Sequence, residues 1–198
     1  VSEVLESIRA LLDAGGFVMP PLLLVSIVLW YAIGWRTVVL SRGDRRPLRS
    51  LLRARIADNS ARTRGVIDTA AARAATLVLD TPGDLKHQAE VLFGDLRAVL
   101  NRGSRLVGAL VALAPLLGLL GTVTGMIETF SSLGDSALFA RSGGIAGGVS
   151  QALVSTQMGL AVAVPGILLG RRLTRVQERM ERELDELTHI LMTREEIG

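Results

Sequence analysis

Five uncharged polar side chains, Thr122, Thr124, Gln151, Ser155 and Thr156, lie inside apolar runs of this 198-residue chain. Two are on "LGLLGTVTGMIETF" (117–130) and three on "SQALVSTQMGLAVAVPG" (150–166). A threonine or serine can satisfy its hydroxyl on a carbonyl of its own helix. Gln151 has no such retreat, and its amide would be costly against lipid. Gln151 and Ser155, four residues apart, share a helix face. Hydroxyls and an amide on two neighbouring segments suit a hydrated or protein-lined interior, where they solvate a charge without carrying it. No Asp, Glu, Lys, Arg or His lies deep in these runs, and Glu128 is the nearest, toward one end. A proton moving along such a surface needs a carboxylate from another chain.

These side chains belong to three stretches without charge: 17–35, 106–127 and 142–170. About 20 apolar residues cross the hydrocarbon core as a helix, so each qualifies as a span. The expected fold is an all-α membrane protein with three transmembrane helices, at 17–40, 106–130 and 142–170. A helical cytoplasmic domain is formed by the 41–105 loop and a C-terminal amphipathic stalk, 171–198. A segment of 1–16 and a short connection at 131–141 lie on the other side. The stretch before the first span has Glu3, Glu6 and Asp13 against Arg9, the reverse of a basic signal-peptide start, so the first span reads as retained.

Thirteen Lys/Arg fall between Ser41 and Arg105 and six from Arg171 onward, against one (Arg9) before the first span and one (Arg141) in the 131–141 connection. Basic residues flanking spans stay cytoplasmic. The 41–105 region and the C-terminus are therefore expected inside, and the N-terminus outside. The net charge of +3 and pI near 10.4 then call for a lipid bilayer and no nucleic acid. The chain has no cysteine, which excludes disulfide and thiolate chemistry.

In the cytoplasmic parts, Pro47 can open a helix reaching about Asn59, and "TPGD" (81–84) reads as an N-cap with proline at the first helical position. No strong breaker separates the helix that follows from the second span, so the two can run on as one. Leu173, Val176, Met180, Leu184, Leu187 and Leu191 recur every three or four residues, which makes an amphipathic stalk. Gly121/Gly125, Gly143/Gly147, Gly144/Gly148 and Gly166/Gly170 repeat the GxxxG spacing that lets membrane helices approach closely. Pro115 and Pro165 each free a carbonyl within a span and predict kinks. The two histidines, His87 and His189, lie in cytoplasmic segments, and there is no nucleotide-binding motif or metal-ligand cluster. The expectation is a protein that is not an enzyme and has no cofactor and no bound metal.

"APLLGLLGTVTGMIETF" (114–130) followed by "GGIAGGVSQALVSTQMGLAVAVPGILLG" (143–170) resembles the second and third spans of the ExbB/TolQ/MotA proton-channel subunits. The likeness is greatest to short ExbB-type proteins of TonB systems. It implies a homopentamer in the bacterial inner membrane around a single-span subunit of the ExbD or TolR type. That partner's intramembrane aspartate carries the proton, and the motion reaches outer-membrane transporters through a TonB-like protein. By motif position Thr122 and Thr156 match the pore threonines of the two spans. Gln151 departs from the pattern, since several members have glutamate there. The glycines are then expected to close neighbouring copies together, with the threonines, Gln151 and Ser155 lining the path. A TolQ-like subunit for envelope integrity, another motor, or a passive helix scaffold are the alternatives. MotA-like stators fit less well, having a fourth span.

Overall fold

Long uncharged runs leave the backbone no hydrogen-bond partner in a bilayer except itself, so the runs are helical. The computed structural model describes residues 14–43, 46–58, 63, 65–80, 85–134 and 144–193, together with Glu3, Glu6 and Leu12. A 3-10 turn at Gly16–Val18 leads into α1 (Met19–Val39). Then come α2 (Leu48–Ala57), α3 (Val66–Asp80), α4 (Leu85–Asn101), α5 (Ser104–Gly134) and α6 (Gly144–Met192). No strand occurs among the described residues. Three stretches are long and apolar enough to cross a membrane, and the chain is an all-α membrane protein. The 21 residues of α1 extend about 32 Å at 1.5 Å per residue, close to the hydrocarbon thickness. The 49 residues of α6 extend about 74 Å, so much of that helix stands outside any bilayer.

Two compact units result: Val1–Ile33 with Arg105–Gly170, and Gly34–Ser104 with Arg171–Gly198. The first contains most of α1 and α5 and the first half of α6. The 3-10 turn and α1 together bury Val18, Met19, Leu22, Val25, Leu29, Ala32 and Ile33, mostly at three- and four-residue spacing. Pro115 and Pro165 are inside their helices, which continue through both prolines.

In the second unit α2 packs on α3 and α3 on α4. The contact face of α3 is nearly all alanine, with Ala70, Ala71, Ala74 and Ala75 fully buried beside Ile67. Small side chains let the flanking helices come near and leave Leu51, Leu52, Phe93 and Leu100 to fill the core. Arg55 on α2 and Asp68 on α3 form a buried pair, Nη2 to Oδ1 at 2.6 Å. The stalk pattern is observed: Leu173, Met180, Leu184, Leu187 and Leu191 are buried and Val176 is half-buried. Pro47 stands at the N-cap of α2, and the helix ends at Ala57, short of Asn59. The "TPGD" cap and Asn59 lie outside the described residues.

One expectation is corrected. Helix α4 does not run on into the second span. The break is at Arg102–Gly103, where Gly103 has φ +78° and a Cβ would stand 3.2 Å from Cζ3 of Trp35. The sequence "NRGSR" holds a glycine there, but glycine inside a helical pattern is often tolerated. The indole of Trp35 stands against that bare backbone.

Candidate functional site

The second and third apolar stretches meet along a seam of small residues in the first unit. A Cβ built on Gly125 of α5 would stand 2.7 Å from the carbonyl oxygen of Gly148 and 3.1 Å from the amide nitrogen of Ala152 on α6. One turn earlier on α5, Gly121 faces the Ser155 side chain, and Gly118 faces the Ser155 carbonyl at 3.0 Å. Gly159 faces Ala114 and Gly118, and Gly166 faces Val111 of α5 and Leu29 of α1. The partners advance in opposite directions, so the helices are antiparallel. At backbone-to-backbone contact this close, no side chain fits between them.

That geometry corrects the reading of the glycines as contacts between copies. Gly121, Gly125 and Gly148 are consumed within one chain. Gly148 lies against Gly125 and the hydroxyl of Thr129, whose own proton goes to the Gly125 carbonyl at 2.8 Å. Gly147, by contrast, has nothing within 4 Å of its Cβ position among the described residues and is exposed. Gly144 opens α6, and Gly143 is outside the described residues. Gly118 and Gly159 were missed, although Gly118, Gly121 and Gly125 at three- and four-residue spacing mark one face.

The polar residues divide into two groups. Thr122 and Thr156 are both half-buried. The Thr122 hydroxyl donates to the Leu119 carbonyl at 2.7 Å, on its own helix. The Thr156 hydroxyl crosses the seam and donates to the Gly118 carbonyl at 3.2 Å. Gly121, next to Thr122, touches Ser155, next to Thr156, so the two hydroxyls stand at one level of the helix pair. Each has spent its proton on a carbonyl, which leaves its oxygen lone pairs as acceptors for water or an acid. Thr124 is likewise satisfied on α5 by the Gly121 and Leu120 carbonyls at 3.1 and 3.2 Å.

Ser155 and Gln151 are differently placed. Ser155 is fully enclosed, with its hydroxyl donating to the Gln151 carbonyl at 2.6 Å, and it faces the seam at Gly121. Gln151 is half-buried and rests on the bare backbone of Gly16, where a Cβ would stand 2.7 Å from its Cδ. Gly16 also has φ +64°, so glycine is required there twice over. The amide that looked costly in lipid is thus seated against the turn that starts α1.

A second polar cluster, in the other unit, escaped the sequence reading. Arg36, in the last turn of α1, is 1% exposed. It extends the stripe of Leu22, Val25, Leu29 and Ile33, which was the available signal. Its Nη2 donates to Oε1 of Gln177 on α6. Gln177 occupies a stripe position between Leu173 and Met180, and its Nε2 donates to Asn101 Oδ1 at 2.8 Å and Glu181 Oε1 at 3.0 Å. Arg97 holds Asp185 at 2.5 Å one turn farther along. Among the described residues, Arg36 Nε has no partner, so Gln177 is its guanidinium's acceptor. Losing a hydrogen bond to a buried charge costs about 1.5–3 kcal/mol. Gln177→Leu is therefore expected to lower the melting temperature in detergent by roughly 3–12 °C, read by circular dichroism. An unchanged melting curve would show that Arg36 is satisfied without Gln177.

The model of the MotA/TolQ/ExbB proton channel family matches residues 66–186. The chain belongs to this family. Its matched region contains the whole α5–α6 seam with both threonines. The ExbB-like 1 protein of Synechocystis sp. is 35% identical over 83% of this chain and 70% of its own length. ExbB-like 3 of the same organism is 45% identical over 35% of this chain and 34% of its own length. The biopolymer transport protein ExbB of Neisseria gonorrhoeae is 34% identical over 46% of this chain and 41% of its own length. The chain thus spans well under two thirds of these last two relatives. As a member of the family, it is a membrane proton-channel subunit.

Proposed function

We propose that the chain is the channel subunit of an ExbB–ExbD-type motor in the bacterial inner membrane, using the proton motive force to energise TonB-dependent outer-membrane transport. The observation that carries this reading is the level pair of Thr122 and Thr156. It is a polar surface on two helices with no ionisable side chain between Leu106 and Ile127 or between Ser142 and Gly170. Such a subunit solvates a proton but cannot hold one in mid-membrane, and an intramembrane aspartate on a single-span ExbD- or TolR-type partner completes it. Several copies, five by the family resemblance, surround the partner helix, with Thr122 and Thr156 facing it. The protein performs no enzymatic step. Vesicles containing the chain with such a partner should take up protons when a potential is imposed, and partner Asp→Asn should stop the uptake. Equal uptake with the Asn partner would overturn the reading.

The arginine distribution supports an N-terminus in the periplasm and α2–α4 in the cytoplasm. The chain has no native cysteine, so single cysteines report cleanly. An impermeant maleimide is expected to label Glu6→Cys in intact spheroplasts and Ala57→Cys only after lysis. The opposite pattern would invert the orientation.

A further inference from the structure

Helix α4 ends at Asn101 and α5 begins at Ser104, so Arg102 and Gly103 make the whole connection. Gly103 lays its bare backbone against one edge of the Trp35 indole, with Cζ3 and Cε3 at 3.2 and 3.7 Å from its Cβ position. Those two atoms belong to the six-membered ring, on the edge remote from Nε1. The indole N–H therefore points away from the turn. Trp35 is 41% exposed, and its N–H has no acceptor among the described residues. An exposed tryptophan at a span's end marks the level of the lipid headgroups.

Arg102 is exposed beside it in the chain turn. Its backbone amide bonds back to the Val99 carbonyl at 3.2 Å, which fixes where the side chain starts. Its guanidinium makes no hydrogen bond or ion pair among the described residues. The carboxylate beside Asn101, that of Glu181, is already taken: its Oε1 accepts from Asn101 Nδ2 at 3.2 Å and Gln177 Nε2 at 3.0 Å. On the last turns of α1, Val38 is exposed. Gly34 is exposed too, with nothing within 4 Å of its Cβ position among the described residues. The Thr37 hydroxyl is satisfied on the Gly34 carbonyl at 2.6 Å. An apolar strip, an N–H donor and a cation thus stand together at the depth where a span ends. They match an acyl chain, an ester carbonyl and an anionic headgroup.

We propose that Trp35 and Arg102 bind an anionic phospholipid of the leaflet in which α1 ends. The Arg102 guanidinium pairs with the headgroup, the Trp35 N–H donates to an ester carbonyl oxygen, and an acyl chain lies along Gly34 and Val38. The inference rests on α1 crossing the bilayer and is independent of what the channel conducts. One arginine near an anionic membrane surface is worth roughly a fivefold preference over a zwitterionic one.

The chain supplies its own reporter. It has two tryptophans, Trp30 and Trp35, which stand about 140° apart around α1 and roughly 7.5 Å apart along it. Bromine on an acyl chain quenches an indole only at contact range. The full chain with Trp30→Phe, in equal mixtures of phosphatidylglycerol and phosphatidylcholine brominated one at a time, is expected to report roughly fivefold enrichment of phosphatidylglycerol at Trp35. Arg102→Gln should bring that enrichment close to one. The Trp35→Phe chain, read at Trp30, should show none. Inorganic phosphate should displace no more lipid than chloride of the same ionic strength. Equal quenching by the two brominated lipids at Trp35, an unchanged enrichment in Arg102→Gln, the same enrichment at Trp30, or extra displacement by free phosphate would each overturn the proposal. Should Arg102→Gln fail to fold, the comparison of Trp35 with Trp30 decides alone.

Discussion

Replacing Thr122 and Thr156 together by valine is expected to leave the protein assembled and in the membrane, yet to cut proton-driven activity roughly ten- to a hundredfold. Valine nearly matches threonine in shape and lacks the hydroxyl. The structural loss is small. Among the described residues the Thr122 hydroxyl bonds its own helix at the Leu119 carbonyl, and the Thr156 bond to the Gly118 carbonyl is of a kind worth about 0.6 kcal/mol in a membrane. The tight packing of Gly125 on Gly148 and of Gly159 on Ala114 is untouched. The functional loss is larger, because a hydrogen bond to a charged group is worth about 1.5–3 kcal/mol. Missing at the limiting proton step, that becomes roughly ten- to a hundredfold in rate. Serine at either position keeps the hydroxyl and should retain much of the activity. The measurement is proton-motive-force-dependent uptake at matched membrane levels. Full activity of the double valine variant would leave these threonines as packing residues.

The second large effect separates glycines that look alike in the sequence. Gly125→Leu is expected to prevent the chain from reaching its folded state, and Gly147→Leu to leave the fold intact. At Gly125 the first carbon of any side chain already meets backbone, the Gly148 carbonyl at 2.7 Å and the Ala152 amide at 3.1 Å. Backbone in a helix cannot turn aside as a side-chain end can, so α5 and α6 must part. Overpacking of even a methylene costs about 1–3 kcal/mol, and leucine adds three more carbons. Gly159→Leu should behave like Gly125→Leu, since its Cβ would stand 2.8 Å from the Ala114 carbonyl. A side chain begun at Gly147 meets nothing within 4 Å among the described residues, so a change in oligomer mass there reads out contact with another copy. Melting in detergent and light-scattering mass distinguish the cases. A Gly125→Leu protein with the parent's melting temperature would refute the seam.

Spans, their helical character and the stalk were legible from the sequence because they rest on one-dimensional quantities. Runs without charge must be helical in lipid, and the three- and four-residue recurrence from Leu173 to Leu191 needs only the pitch of a helix. The candidate hydroxyls were legible for a related reason: polar atoms are conspicuous in an apolar run. Which neighbour each residue meets depends on the register of α5 against α6, a relation that no local pattern encodes. Only the tertiary structure decided that Gly121, Gly125 and Gly148 pack inside one chain while Gly147 is exposed. It also decided that Ser155 is sealed in the seam, that Gln151 is seated on Gly16, and that Thr122 and Thr156 stand level. Arg36 shows the limit most clearly. An arginine at a span's end reads as a solvated interfacial charge. It is buried because Gln177, 141 residues away, supplies the acceptor that makes burial tolerable.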